Sequence, residues 1–298
     1  MTISARDGTR KEDVARFWDA NPCGSKFSDL EMGSAEFFAA VEKHRYDLEP
    51  HIMEMAGFEA AKGLRVLELG CGLGTDGVQF ARHGACYTGM DLTANGTCLS
   101  KRHLDVKGES GTVCRGDGEN LPFRDACFDV IYSHGVLHHT PDPPRAFAEI
   151  LRVLKPGGRA IVMLYHRRSY NYLINIMLLR RLGIQLLRLP GGIGLAHWLT
   201  GEDERRLAAH KVFLKEQPEY LHASTFLNHN TDGPGNPISR VYTQCDMKEL
   251  LSDFSDVSTV VRFARSDQVP FVGRFVPPAL NRFVGRRWGW HLYGLAIK

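Results

Sequence analysis

Between residues 62 and 165 the chain alternates short apolar runs of β type with stretches of helical periodicity. Arg65–Leu69 (RVLEL) predicts a first strand, followed by a glycine turn and a helix ending near Arg82. Cys86–Met90 predicts a second strand with a helix over Thr93–Leu104. Gly111–Cys114 is a weak third strand. Phe128–Tyr132 (FDVIY) is a fourth, followed by a helix over Pro144–Leu154 that Lys155-Pro156-Gly157-Gly158 should break before a fifth strand, Ala160–Tyr165. Strands that alternate with helices at this spacing form βαβ units, hence a parallel, doubly wound α/β sheet. The pattern returns late, with a helix over Met247–Phe254 and strands over Val257–Phe263 and His291–Ile297. The expected fold is therefore a Rossmann-like, seven-stranded sheet with an antiparallel last strand.

The expected organisation is an N-terminal helical cap over residues 1–60, a core over 61–165 and 243–298, and an insertion over 166–242. The cap has helices around Glu12–Trp18 and Ala35–Met55. The insertion opens with an apolar, arginine-punctuated segment (SYNYLINIMLLRRLGIQLLRL), then a break, PGGIG, and a polar loop, NTDGPGNP, at 230–237. The insertion is expected to form a lid that excludes water; its face of Leu173, Ile176, Met177 and Leu179 reads as domain core rather than membrane contact, with a greasy acceptor as a further reading.

Chemistry concentrates where the first strand meets the first helix, in Val66 to Gly77 (VLELGCGLGTDG). Glycines there let a ligand approach the backbone at a helix N-terminus. Gly72, Gly74 and Gly77 satisfy GxGxxG, so a dinucleotide reading must be weighed. Glu68 argues against it, because a carboxylate beside a pyrophosphate repels it, whereas a ligand carrying an ammonium and a sulfonium is attracted. Asp91, in GMDL at the end of the second strand, stands where an acid takes ribose hydroxyls, with a helix N-cap as the alternative. Asp117, in GDGE after the third strand, is a candidate for an adenine amino group, with Leu92 and Leu121 flanking the ring; an ordinary turn acid is nearly as good a reading.

These segments, together with GDGENLPFRDACFDVIYSHGVLHHTPDPPRAFAEILRVLKPGG, resemble class I S-adenosylmethionine-dependent methyltransferases, closest to the small-molecule branch called type 11. The resemblance covers roughly residues 62–165, and GWHLYGLAIK is similar to the family's last strand. It implies S-adenosylmethionine as cofactor and a small-molecule acceptor in a biosynthetic pathway. It also implies that Glu68, Gly70, Gly72 and Gly74 hold the methionine part, Asp91 the ribose, Asp117 and Gly118 the adenine, while Ser133 and His134 line the sulfonium side. The insertion at 166–242 and the tail at 265–287 depart from the family pattern, so the resemblance says little about substrate.

Methyl transfer is an in-line displacement in which the protein chiefly aligns the nucleophile and in some cases removes its proton. His138 and His139, in the turn after the fourth strand, are candidate bases with a suitable ordinary pKa; the alternative is that LHH only packs. Tyr165, with His166 and Tyr170, follows the fifth strand and is a further candidate to face the substrate, a core-edge aromatic cluster being an equally good reading. Phe17-Trp18-Asp19 and His44-Arg45-Tyr46 are candidates to fold over the cofactor, Arg45 or Tyr46 reaching its carboxylate. His134 and His138 stand four apart but lack a third ligand nearby, so no metal is expected.

Composition bounds the rest. The 298 residues are 43% apolar and 24% charged, which is globular and enough for a full core. Seven scattered cysteines without a CxxC pair read as reduced thiols, the N-terminus lacks a secretory pattern, and Tyr172–Leu179 is too short to span a bilayer. A cytoplasmic protein without a transmembrane segment is expected, its oligomeric state open. Net charge is +3, but residues 262–298 carry 7 basic side chains and one acidic, including Arg274, Arg282, Arg286 and Arg287. No nucleic-acid motif accompanies them, so a solvated face is favoured over RNA binding. The two rival functions are thus a nucleotide-cofactor oxidoreductase and an RNA methyltransferase or RNA-binding module.

Overall fold

The computed structural model describes residues 10–264 and 276–298. Arg274 and its neighbours in the basic tail lie outside them. Seven strands form one sheet in the order β3-β2-β1-β4-β5-β7-β6. They are β1 Arg65–Leu69, β2 Cys86–Asp91, β3 Thr112–Arg115, β4 Phe128–His134, β5 Leu154–Tyr165, β6 Ser255–Arg262 and β7 His291–Ile297. β1 is central and buried from Val66 to Leu69, as expected of a parallel strand covered on both faces. It pairs in parallel with β2 (Glu68 opposite Gly89) and with β4 (Glu68 opposite Tyr132). Strand order reverses between β1 and β4, the topological switch point at which open α/β sheets take ligands, beyond the strands' carboxyl ends. β7 runs antiparallel to β5, since Gly157 N–H donates to Lys298 O (3.0 Å) and His166 N–H to Trp290 O (2.8 Å).

Several boundaries differ from the sequence expectation, each for a local reason. LKPGG does not separate helix from strand. It lies inside β5 as an irregularity, where pairing jumps from Phe128–Leu154 to Val130–Arg159 and Gly157 takes φ +76°. The single helix expected over 35–55 is two, divided at Pro50. The helices of this part are α1 Lys11–Ala20, α2 Ala35–Leu48, α3 His51–Ala56, α4 Thr75–Arg82, α5 Ala94–Lys107 and α6 Pro143–Val153. α5 begins at Thr93, whose hydroxyl accepts from Gly96 N–H (3.0 Å), and ends at Gly108 in the left-handed region. The late helix is Gln244–Leu250, and β6 starts two residues earlier than expected.

The chain divides into two compact units, one of residues up to Leu164 with 244–260 and 293–298, the other of 165–243 with 261–292. The N-terminal helices belong to the first unit, where Phe37, Phe38, Val41 and Leu73 form a buried cluster between α2 and the glycine turn. The second unit is helical, with Asn171–Arg180 as a π-helix followed by Gly192–Thr200, Glu204–Glu216 and Ala223–Thr231. Its core is Ile176, Ile184, Leu187, Ala196, Leu207, Tyr220 and Phe226. Asn230 and Thr231, expected in a loop, close the last of these helices. Among the described residues no helix is long and apolar enough to cross a membrane.

Candidate active site

The glycine turn is built from three left-handed residues, Gly70 (φ +76°), Gly72 (φ +48°) and Gly74 (φ +73°), which do different work. A Cβ on Gly70 would stand 2.3 Å from Val136 Cγ2, and one on Gly74 would stand 2.8 Å from Ser100 Cα. Both glycines are required for packing. A Cβ on Gly72 would meet nothing within 4 Å, so here the turn faces open space. Gly118 is nearly as open, with Leu137 Cδ2 at 3.8 Å the nearest atom. Gly77 lets α4 close on β2, since Tyr87 Oη would lie 2.2 Å from its Cβ.

Around that opening the first unit gathers carboxylates. Glu68 is buried at the end of β1 and accepts from Tyr87 Oη (2.6 Å). Burial pushes its pKa well above the ordinary carboxylate value; the negative charge of Asp76 adds to this and the Tyr87 bond opposes it. Asp91 holds the turn to β2, accepting from Gly72 N–H (2.9 Å), Thr93 N–H (2.9 Å) and Thr93 Oγ1 (2.7 Å). The ribose-side and N-cap-side readings of Asp91 thus meet in one residue, whose carboxylate already organises both the turn and the start of α5.

Asp76 was not singled out in the sequence, yet it is the hub of the site. Arg45 grips it bidentately, Nε to Oδ1 at 2.8 Å and an Nη to Oδ2 at 2.5 Å, while Tyr46 Oη (2.9 Å) and Tyr132 Oη (2.8 Å) also donate to it. Burial works to raise its pKa, but the Arg45 charge and these donors bring it below the usual carboxylate range. Arg45 and Tyr46, expected at the cofactor's carboxylate, are therefore engaged by a protein carboxylate. The signal for Asp76 was its place inside GLGTDG, an acid in the first turn of a helix whose flanking residues are buried.

Asp117, expected at the adenine, is tied to α1. Lys11 Nζ reaches Asp117 Oδ2 (2.5 Å) and Glu119 Oε2 (2.6 Å), and buried Glu119 also accepts from Asp142 N–H (2.7 Å). Of the two leucines expected beside the ring, Leu92 is half-buried and Leu121 buried. Ser133 is buried and donates to Leu69 O (3.2 Å). His134 ends β4, with Nδ1 3.3 Å from Tyr293 Oη and Nε2 3.7 Å from Glu49. His138 and His139 form a buried 3-10 turn with ring centroids 4.2 Å apart, and Trp18 lies 4.9 Å from His139. In the second unit Tyr165 donates to Asp232 Oδ1 (2.8 Å) and stacks on Trp290 at 4.3 Å, while His166 is buried against Gly289 O (3.0 Å) and Tyr170 is half-buried.

The electrostatics fit a cationic ligand. Asp91 stands beside the open turn, its carboxylate accepting from Gly72 N–H, while Asp76 and Glu49 share one guanidinium, Arg45, and burial favours the neutral form of Glu68. A cationic group at the open turn would be attracted to the Asp91 carboxylate.

The profile of a family described as a methyltransferase domain matches residues 67–162. Ubiquinone biosynthesis O-methyltransferase of Coxiella burnetii is 32% identical over 182 residues, 59% of this chain and 71% of that protein. The chain belongs to the class I S-adenosylmethionine-dependent methyltransferases. Its cofactor is S-adenosylmethionine. A second relative of this methyltransferase, phthiotriol/phenolphthiotriol dimycocerosates methyltransferase 1 of Mycobacterium ulcerans, is 44% identical over 98 residues, 32% of this chain. The match spans only 35% of that relative's own length. Among solved structures, magnesium protoporphyrin IX methyltransferase of Synechocystis with bound S-adenosylhomocysteine shares the fold, with TM-score 0.53 and 13% identity over 97% of this chain and 100% of that one.

Proposed function

We propose that this methyltransferase transfers the methyl group to a small, lipid-like acceptor in a biosynthetic pathway. The observation that carries the reading is the open Gly72 with the Asp91 carboxylate bonded to its N–H, a bare backbone and an acid meeting at the sheet's switch point. When bound, S-adenosylmethionine supplies a methyl group on a good leaving group. The chain's own part is to orient the donor, exclude water and manage the acceptor's proton. The lipid-like class is supported by the relatives' names, which attach them to dimycocerosates and to ubiquinone biosynthesis.

For the proton, the best-suited pair is Tyr165 and Asp232. Tyr165 is only half-buried, and its hydroxyl proton already points at a carboxylate, so it can take a proton from an acceptor hydroxyl while passing its own to Asp232. His138 and His139 are enclosed, which suits them to shaping the turn.

Calorimetry with S-adenosylhomocysteine and with NADH tests the proposal. S-adenosylhomocysteine should bind, NADH should not, and Asp91→Asn should weaken the former by about tenfold or more, the range for losing one charge-assisted bond. Preference for NADH would overturn it. Incubating cell extract with deuterated methyl donor, followed by mass spectrometry, should then label an apolar metabolite.

A further inference from the structure

Of the 18 large apolar side chains exposed among the described residues, 13 lie in the second unit: Leu173, Ile174, Leu178, Leu179, Leu182, Leu189, Leu195, Trp198, Leu199, Val212, Leu280, Phe283 and Trp288. Scattered exposure is ordinary for a soluble fold, but concentration of this kind marks an interaction surface. Helix geometry orders these residues. Residues five apart share a row on a π-helix, so Leu173 aligns with Leu178 and Ile174 with Leu179, while Ile176 turns into the core. On Gly192–Thr200, Leu195, Trp198 and Leu199 occupy one outward face opposite buried Ala196, and Trp198 is 78% exposed. Leu173 and Leu179, read from sequence as core, are on the surface.

Along the opening helices the charges have one sign, up to the acidic run Glu202-Asp203-Glu204 that follows them. From Tyr165 to Gly201 there are five arginines, Arg167, Arg168, Arg180, Arg181 and Arg188, and no acid. Helix Pro278–Trp288 repeats the pattern, with Arg282, Arg286 and Arg287 exposed beside Leu280, Phe283 and Trp288 and again no acid. Arg180 and Arg181 are used internally, on Glu202 and Leu221 O, but Arg167, Arg168 and Arg188 are exposed.

We infer that the second unit docks on an anionic lipid bilayer, its leucines and tryptophans entering the headgroup boundary and its arginines meeting lipid phosphates. Exposed Trp and Leu interleaved with arginine on short helices is the composition of segments that lie in the interface plane. A second copy of the chain fits less well, because a two-fold contact made through residues 165–201 and Pro278–Trp288 would press segments that carry arginines and no acid of their own against each other. RNA also fits poorly, since most of the exposed apolar residues are aliphatic and offer no ring for a base to stack on. The inference goes beyond the proposed reaction and does not depend on which acceptor is methylated.

The test is flotation of the full-length chain with vesicles of phosphatidylcholine alone and of phosphatidylcholine mixed equally with phosphatidylglycerol. The chain should partition onto the mixed vesicles, weakly onto the neutral ones, and less as salt rises. Leu178→Glu/Trp198→Glu should reduce partitioning by about tenfold or more, as should Arg286→Glu/Arg287→Glu. Both variants change exposed residues, so their circular dichroism and S-adenosylhomocysteine affinity should match the parent. Failure of the parent to bind mixed vesicles at low salt would overturn the inference while leaving the cofactor assignment standing. So would undiminished binding by Leu178→Glu/Trp198→Glu, a dimer in gel filtration that this variant abolishes, or RNA displacing the chain from no lipid while binding the same arginines.

Discussion

The two units handle charge in opposite ways. In the first, acids gather: Glu68 and Asp76 are buried, Asp91 is half-buried, and Arg45 is engaged by Asp76. In the second, arginines outnumber acids along the opening helices, and the buried titratable groups are histidines and tyrosines, among them His166, His210, His229 and Tyr220. A surplus of charge that the fold does not neutralise is costly, and it persists where a ligand supplies the counter-charge. The first unit is thereby complementary to a cationic nucleoside and the second to an anionic surface. That contrast teaches more about function than the sheet does, because the sheet is common to proteins of many activities.

The sharpest way to break the contrast is to remove the hub of the first unit. Asp76→Ala leaves the half-buried Arg45 guanidinium with only the more distant Glu49 (3.9 Å) and takes the acceptor from Tyr132 Oη, while Tyr46 Oη keeps Thr75 O (3.3 Å). Stability should fall by about 3–5 kcal/mol, the range for stranding one partner of a buried ion pair. Urea denaturation would measure it. The double variant Arg45→Met/Asp76→Leu should recover much of the loss. If Asp76→Ala alone were neutral, the pair would not be holding α2 to α4, and the surplus-charge account would fail with it.

The glycine turn allows a finer cut. Gly70→Ala places a Cβ inside Val136 at a left-handed φ, and overpacking plus strain should cost about 2–4 kcal/mol. Gly72→Ala shares the unfavourable φ but enters open space, so it should cost about 1–2 kcal/mol in stability while reducing S-adenosylhomocysteine affinity disproportionately. Equal effects of the two on stability and affinity would show that the turn has no ligand-facing position.

Much of this site was legible before the structure, and the reason is local. Strand, glycine turn and helix are adjacent in sequence, so Glu68, Gly72 and Asp91 could be placed from order alone, and β1, β4 and β7 stand nearly where their apolar runs put them. What was missed depends on distant pairing. Lys11 meets Asp117 across 106 positions, and Arg45 meets Asp76 across 31, neither of which any periodicity reports. The apolar face of 173–179 was misread because a π-helix rotates side chains away from the usual 3.6-residue stripe, carrying Leu173 and Leu179 outward. LKPGG looked like a helix stop and proved to be a bulge, since a proline-glycine run serves either purpose until the partner strand fixes the register.

The smallest expected effect compares the units through their buried histidines. His103, in the first unit, is fully enclosed, donates from Nδ1 to Leu73 O (2.9 Å) and stacks on Phe38; burial pulls its pKa down to about 4. His210, in the second, lies 2.7 Å from Tyr220 Oη, and burial together with the charges of Arg180 and Arg206 pulls it down to about 3. Each stays neutral in the fold, while in the unfolded chain it takes up a proton near the ordinary histidine value. Between those limits the unfolded state binds more protons, so stability falls as pH drops, by at most about 1.4 kcal/mol per pH unit per histidine. The fall should begin near pH 6.5, level off near pH 4 for His103 and continue to about pH 3 for His210. Hydrogen exchange at pH 7 and pH 5, read peptide by peptide, should show His103→Gln flattening the acid response of the first unit only and His210→Gln that of the second only. A response that flattened in both units with either variant would mean that they unfold as one body, and the electrostatic contrast between them would then have no separate thermodynamic expression.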